Sequence, residues 1–109
     1  LVEERLMDAV GCVSGSSPAF VYMFIEALAD SGVKYGLPRK TAYAMAAQTV
    51  LGSAKMILET GKHPGQLKDE VCSPGGTTIA GVSALEEHGL RNAVIKAADA
   101  CYEKTRRMK

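Results

Sequence analysis

The segment PAFVYMFIEALADS, residues 18–31, decides the fold of this 109-residue chain. Nearly every side chain from Ala19 to Ala29 is apolar, with Glu26 as the exception. A helix that is apolar on all sides must be buried on all sides. A chain of this length has too little mass to bury such a helix alone. The segment therefore predicts a helix that a second copy covers in an intertwined oligomer.

Residues that favour helices also fill the segments on either side, and glycines and prolines separate these segments. No strand-like alternation bounded by hairpin turns occurs, so we predict an all-α fold. Ser17 is expected to cap the helix that opens at Pro18, Gly32 to end it, and residues 11–17 to form a loop. The predicted helices cover approximately residues 2–10, 18–31, 37–59, 63–71, 79–87 and 90 to the end.

Composition indicates one domain, residues 1–109, and argues against several classes of partner. The 13 Lys and Arg residues nearly balance the 12 Asp and Glu residues, so no charge bias favours nucleic acid or a membrane surface. The longest uncharged apolar run is Ala19 to Ile25. A bilayer span needs about 20 apolar residues, so we predict no transmembrane helix and no membrane partner.

The three cysteines, Cys12, Cys72 and Cys101, are odd in number and widely spaced. The C-x-x-C pattern is missing from the sequence, so we predict no structural metal site. Free thiols suit a reducing compartment, and we expect a cytoplasmic protein, with a mitochondrial location as the alternative.

The segment Ser73–Thr78 combines adjacent glycines with hydroxyl side chains before a predicted helix. Adjacent glycines leave backbone N–H groups uncovered, and the following helix adds unpaired N–H groups and the positive end of its dipole. Such an arrangement binds a carboxylate or a phosphate. An ordinary turn between two helices, capped by Ser73 and the threonines, explains the same residues. The spacing alone leaves both interpretations open.

Six stretches of the chain form a recognisable series: SGSSPAF (14–20), EALADSGVK (26–34), GLPR (36–39), AQTVLGSAKM (47–56), HPGQLKD (63–69) and SPGGTTIAG (73–81). Taken together and in this order, they resemble the C-terminal domain of pyrroline-5-carboxylate reductases. The resemblance covers nearly the whole chain, from about Glu3 to Lys104.

The resemblance implies NAD(P)H-dependent reduction of 1-pyrroline-5-carboxylate to L-proline, the last step of proline biosynthesis, with NADPH or NADH as cofactor. It also implies an intertwined helical bundle of the 6-phosphogluconate dehydrogenase C-terminal-like type, which forms a homodimer or a decamer of five dimers. Such enzymes bind the dinucleotide mainly in an N-terminal Rossmann domain, whose G-x-G-x-x-G fingerprint is absent from this chain. Since the chain opens at Leu1, we expect it to begin inside a longer protein. We expect the isolated 109 residues to be inactive.

The resemblance assigns the small-molecule substrate to the segment singled out above. The backbone of Gly75, Gly76 and Thr77 would hold the substrate carboxylate. Val71 and Ser73 would line the pocket beside it.

The resemblance also names one catalytic residue and two cofactor contacts. The Thr78 hydroxyl would hydrogen-bond the ring nitrogen of the imine. Because a threonine hydroxyl is a very poor acid, we expect it to orient the imine, while water or substrate provides the proton. Glu4 and Glu70 fall where relatives place residues near the nicotinamide cofactor. Three places depart from the family pattern. Relatives usually have Gly where Ser17 stands, commonly have a Thr-Gly or Thr-Ala pair where Gly11 and Cys12 stand, and commonly have Asn where Glu70 stands.

Two alternatives remain beside this interpretation. The all-α domain of a hydroxyacid or phosphogluconate dehydrogenase would carry a catalytic lysine in an Asn-Lys helix motif, and the lysines here lack that context. A non-catalytic helical homodimerisation module without a dinucleotide domain would also explain the apolar helix.

Overall fold

The computed structural model describes residues 3–108, and these residues confirm the all-α prediction. A 3-10 turn at Glu4–Leu6 leads into the first helix, and position 2 of the predicted first helix lies outside the described residues. The helices are α1 (Met7–Val10), a π-helical turn (Gly11–Gly15), α2 (Ser17–Lys34), α3 (Arg39–Thr60), α4 (Pro64–Val71), α5 (Thr77–Glu87) and α6 (Leu90–Arg107).

Contacts divide the chain into two compact units: residues 24–87, and residues up to 23 together with those from 88 onward. In the unit 24–87, the buried core consists of the small residues Ala29, Ala42 and Ala46. Small side chains bury little apolar area, so this core contributes little hydrophobic stabilisation. The hairpin of α2 and α3 is also joined by an ion pair, in which Arg39 Nη1 donates to Asp30 Oδ1 at 2.8 Å. This hydrogen bond raises the pKa of Arg39.

Gly32 does not end α2, because the helix continues to Lys34. Gly32 instead provides space, since a Cβ built there would lie 3.0 Å from Leu37 Cδ1 and 3.4 Å from Ala42 Cβ. The chain turns at Gly36, whose φ of +105° is a conformation that favours glycine. The prediction of Gly32 as the end of the helix was therefore wrong, and its role is to allow close packing.

The predicted loop at residues 11–17 is also wrong, because residues 11–15 form a π-helical turn and α2 already begins at Ser17. The Ser16 N–H donates to the Gly11 carbonyl at 2.9 Å, which is the five-residue spacing of a π turn. Pro18 accounts for this turn, because its ring crowds the carbonyl of the residue four positions earlier. The Ser17 hydroxyl donates to the Val13 carbonyl, one turn back in the helix, instead of capping a helix start.

In the other unit, α1 and the π turn contact α6, and Cys12 is buried there. Burial raises the pKa of the Cys12 thiol, and the neighbouring Cys101, Asp8 and Asp99 raise the pKa further. All three cysteines are free thiols. The Cys12 thiol therefore stays protonated and unreactive at neutral pH.

Within a single chain α2 is not buried on all sides, since Ala29 is the buried residue among its 18. Tyr22 is 67% exposed and Met23 is 66% exposed. Phe24 and Leu28 on the same helix are 43% and 40% exposed.

The helical path Glu4–Lys34 is long and apolar enough, by length and composition, to cross a membrane. Its most apolar window has a mean hydropathy of 1.3, and 11% of that window is buried. The sequence argument against a membrane-spanning helix considered only the longest uninterrupted apolar run. That argument was wrong, because the helical path as a whole meets the length and composition criterion. The interface helix of an oligomer meets the same criterion, so length and composition do not separate a bilayer from a protein partner.

Candidate functional site

A tight turn joins α4 to α5 at residues 73–76. The Gly76 N–H donates to the Ser73 carbonyl at 3.1 Å, which closes a four-residue β-turn. Pro74 occupies its second position, and Gly75, with a φ of +70°, occupies its third. This arrangement matches a type II turn, whose third residue must tolerate positive φ. The sequence Ser-Pro-Gly-Gly therefore fixes the direction in which α5 begins.

The first turn of α5 presents N–H groups that have no acceptor within the helix. The Gly76 carbonyl accepts the Ala80 N–H at 3.4 Å, so Gly76 is the N-cap and Thr77 the first helical residue. The N–H groups of Thr77, Thr78 and Ile79 lie too early in the helix for an intrahelical bond. Together with the helix dipole, they create a positive region that favours an anion. The Gly76 N–H is already used in the turn, which leaves its neighbours as the better donors.

The two adjacent glycines are required for different reasons. A Cβ built on Gly76 would lie 2.6 Å from Ser73 Oγ and 3.3 Å from the Ser73 carbonyl oxygen, so Gly76 allows a close approach. A Cβ built on Gly75 would meet no atom within 4 Å, so space does not explain this glycine. Gly75 is required because positive φ is costly for any residue with a Cβ.

The predicted substrate site is open to solvent in a single chain. Ser73, Gly75, Thr77 and Thr78 are all exposed. Hydrogen bonds and charges act weakly where water has free access. The turn and the start of α5 thus form an open surface in a single chain, and the substrate site predicted there stays a prediction.

Val71 lies close to this wall in sequence, but its side chain faces the groove between α3 and α4. The groove has a volume of about 340 Å³, and its lining includes Met56, Ile57, Pro64 and Leu67 as well as Val71. Val71 remains 65% exposed. The structure thus places Val71 beside a gap next to α4, and its predicted role in lining the substrate pocket stays a prediction.

The two predicted cofactor contacts are in different units. Lys62 Nζ donates to both carboxylate oxygens of Glu70, at 3.1 and 3.4 Å, so this carboxylate already has a cationic partner. Glu4 is exposed at the start of the 3-10 turn. Residues 3–108 contain no strand, and the roles of Glu4 and Glu70 as cofactor contacts stay predictions. Within the same residues, no group of three His, Cys, Asp or Glu side chains is placed to bind a metal ion.

Comparison with known proteins identifies relatives over the whole described chain. The family model described as "Pyrroline-5-carboxylate reductase dimerisation" matches residues 4–108. A pyrroline-5-carboxylate reductase of Escherichia coli (strain K12) is 59% identical over 108 residues, which cover 99% of this chain and 40% of that protein. One from Glycine max is 54% identical over 106 residues, which cover 97% of this chain and 39% of that protein. The chain thus spans about two fifths of the length of these relatives.

Solved structures agree with the sequence comparison. The pyrroline carboxylate reductase of Plasmodium falciparum, with NADP bound, superimposes with a TM-score of 0.93 at 40% identity, covering 98% of this chain and 43% of that one. A pyrroline-5-carboxylate reductase from Coxiella burnetii gives a TM-score of 0.94 at 37% identity, covering 100% of this chain and 40% of that one.

Proposed function

Because the chain belongs to the pyrroline-5-carboxylate reductase dimerisation family, we propose that it provides the dimer interface and the substrate-carboxylate site of such a reductase. The reaction is the NAD(P)H-dependent reduction of 1-pyrroline-5-carboxylate to L-proline. The nicotinamide, bound mainly by a separate Rossmann domain, supplies the hydride. The residues described above bind and orient the imine.

The turn at residues 73–76 and the start of α5 carry this proposal. The N–H groups of Thr77 and Thr78, with the helix dipole, attract the substrate carboxylate. The Thr78 hydroxyl, on the same turn of helix, then bonds the ring nitrogen. The carbon next to that nitrogen accepts the hydride, and the nitrogen gains a proton from water or substrate. Thr78 therefore acts by orientation, which alone accelerates a reaction by a large factor when reactants are well aligned.

The partner that we propose for the exposed face of α2 is a second copy of this chain, not a bilayer. The matching family model is a dimerisation domain, and α2 exposes the large apolar side chains Tyr22, Met23 and Phe24. Glu26 and Asp30 also interrupt this face with exposed carboxylates, which are costly in lipid. The homodimer is the smallest such assembly, and a decamer of five dimers is the larger one. The three free thiols are compatible with a cytoplasmic location.

A chimera tests the proposed function. This chain replaces the matching 108 residues of the Escherichia coli relative, so that the remainder of that protein provides the nucleotide-binding part. The chimera is expected to oxidise NADPH or NADH in the presence of 1-pyrroline-5-carboxylate. Thr78→Val should lose most of kcat/KM, and Thr78→Ser, which keeps the hydroxyl, should retain it.

The outcomes separate the two candidate functions. A dimeric chimera without reductase activity would favour the non-catalytic homodimerisation module, which the exposed α2 surface also supports. Equal activity of Thr78→Val and the unmodified chimera would refute the role of the hydroxyl.

A further inference from the structure

We propose that His63 is a protonation-sensitive cap of α4, and that it positions the turn at residues 73–76. The imidazole Nδ1 accepts the Gly65 N–H at 2.9 Å. The His63 carbonyl accepts the Gln66 N–H at 3.0 Å and the Leu67 N–H at 3.1 Å. Pro64, the first helical residue, has no N–H to satisfy. His63 alone therefore satisfies the backbone donors of the first turn of α4.

The fit between the ring and the backbone is close. A Cβ built on Gly65 would lie 3.0 Å from His63 Nδ1 and 3.2 Å from Cε1, so the ring lies against the glycine. Since the partner of Nδ1 is a backbone N–H, Nδ1 must be unprotonated for this bond to form. Protonation removes the acceptor and places a positive charge at the positive end of the helix dipole. Both effects oppose the cap, so the capped form requires a neutral imidazole.

The cap matters because little else holds α4. The helix has eight residues, and so short a helix is not stable in isolation. The groove of about 340 Å³ shows that its packing against α3 is incomplete. The second restraint is the ion pair of Lys62 with Glu70, which joins the residue before the cap to the last turn of α4.

The charged side chains that precede and follow the cap in sequence pair with one another. Lys62 is paired with Glu70, and on α3 the nearest charges in sequence, Lys55 and Glu59, pair with each other at 3.7 Å. Lys68 pairs with Asp69 further along α4. Among the described residues, none of the ion pairs includes His63. Protonation of His63 is therefore not compensated by a carboxylate partner in this structure.

The consequence for function follows from chain connectivity. The C-terminal end of α4 leads through Cys72, whose N–H donates to the Asp69 carbonyl at 3.1 Å, directly into the turn. When α4 frays, the turn loses its support on that side. His63 is thus a positioning residue for the carboxylate site, and this last step rests on the proposed function. The expected result is weaker substrate binding when the His63 imidazole is protonated.

The cap itself is tested in the full chain, without reference to activity. Hydrogen-exchange protection factors of Gly65, Gln66 and Leu67 are compared between about pH 8 and about pH 5.5, because histidine titrates between these values. Protection should fall about fivefold in the native chain, the typical effect of losing an N-cap. His63→Asn keeps an acceptor that does not titrate, so its protection should stay high at both pH values. The protection in His63→Ala should be low at both pH values. His88→Asn changes the other histidine as a matched control, and its protection should follow that of the native chain.

The positioning role is tested in the chimera by the KM for 1-pyrroline-5-carboxylate over the same pH range. Any effect of pH on the substrate itself is the same for all variants, so it cancels in the ratio of the native KM to the His63→Asn KM. The native KM should rise about fivefold relative to His63→Asn at low pH, with little change in kcat. A His63→Asn protein with the pH dependence of the native one, in exchange or in KM, would overturn the inference. A chimera without activity would refute the proposed function, while the exchange measurement would still test the cap.

Discussion

Gly75→Ala is predicted to weaken substrate binding without unfolding the domain. The φ of Gly75 is +70°, and a Cβ at this position would meet nothing within 4 Å. The cost is therefore confined to the backbone, and the left-handed conformation costs a residue with a Cβ about 1–2 kcal/mol. If the turn relaxes to avoid this cost, the population of the binding-competent turn falls by about 5- to 30-fold. The apparent KM should rise by the same factor, while the rate at saturating substrate stays closer to native.

Gly89→Ala provides a matched control for this prediction. Gly89 has a φ of +76°, and a Cβ there would also meet nothing within 4 Å. It is the N-cap of α6 and follows α5 in sequence, whereas the turn precedes α5, so Gly89→Ala imposes a similar backbone cost outside the turn. Steady-state kinetics of the chimera and its thermal unfolding are measured for both variants. A KM for Gly75→Ala within about twofold of native, or an equal rise for Gly89→Ala, would refute the reasoning.

Three further predictions concern the two helical units. Met23→Glu places a charge on the exposed face of α2 and should weaken self-association by about 100-fold or more in sedimentation velocity, whereas Met108→Glu should not. Alkylation of Cys12, followed by peptide mapping, should be slower than alkylation of a free peptide thiol. Because the pKa of Cys12 is raised above the ordinary 9.0 in the folded chain, the free energy of unfolding should also fall as pH rises above 9.0. Arg39→Ala removes an exposed ion pair with Asp30 and should cost no more than about 1 kcal/mol in urea unfolding; a loss above about 3 kcal/mol would be inconsistent with that exposure.

Most of the helix boundaries could be predicted because proline and glycine determine them locally. Pro64 opens α4, and Gly61, with a φ of +69°, follows the end of α3 as its sequence position indicates. The π turn before Pro18 could not be predicted from propensity alone. Pro18 usually opens a helix, but here the helix has already begun, and the backbone widens into a π turn before it. The role of Gly32 was misjudged for a related reason, because its contacts with Leu37 and Ala42 arise only after the hairpin has folded.

The candidate site was predictable as a segment but not in its details. The glycines and threonines of residues 73–78 identify a helix start that favours anions. The use of the Gly76 N–H within the turn depends on the turn type and is visible only in the folded backbone. The partner of Glu70 was missed because Lys62 lies eight residues away across the start of α4, a spacing that no helical rule connects. The burial of α2 was predicted from its composition, yet a single chain leaves most of α2 exposed, and we propose that a second copy covers it.

The central claim is that a second copy of this chain covers the exposed apolar face of α2. Light scattering on the purified chain in detergent-free buffer tests this claim most directly. The predicted mass is two or ten times the 11.5 kDa of one chain. A folded monomer of 11.5 kDa, or a chain that requires detergent to stay dispersed, would contradict it.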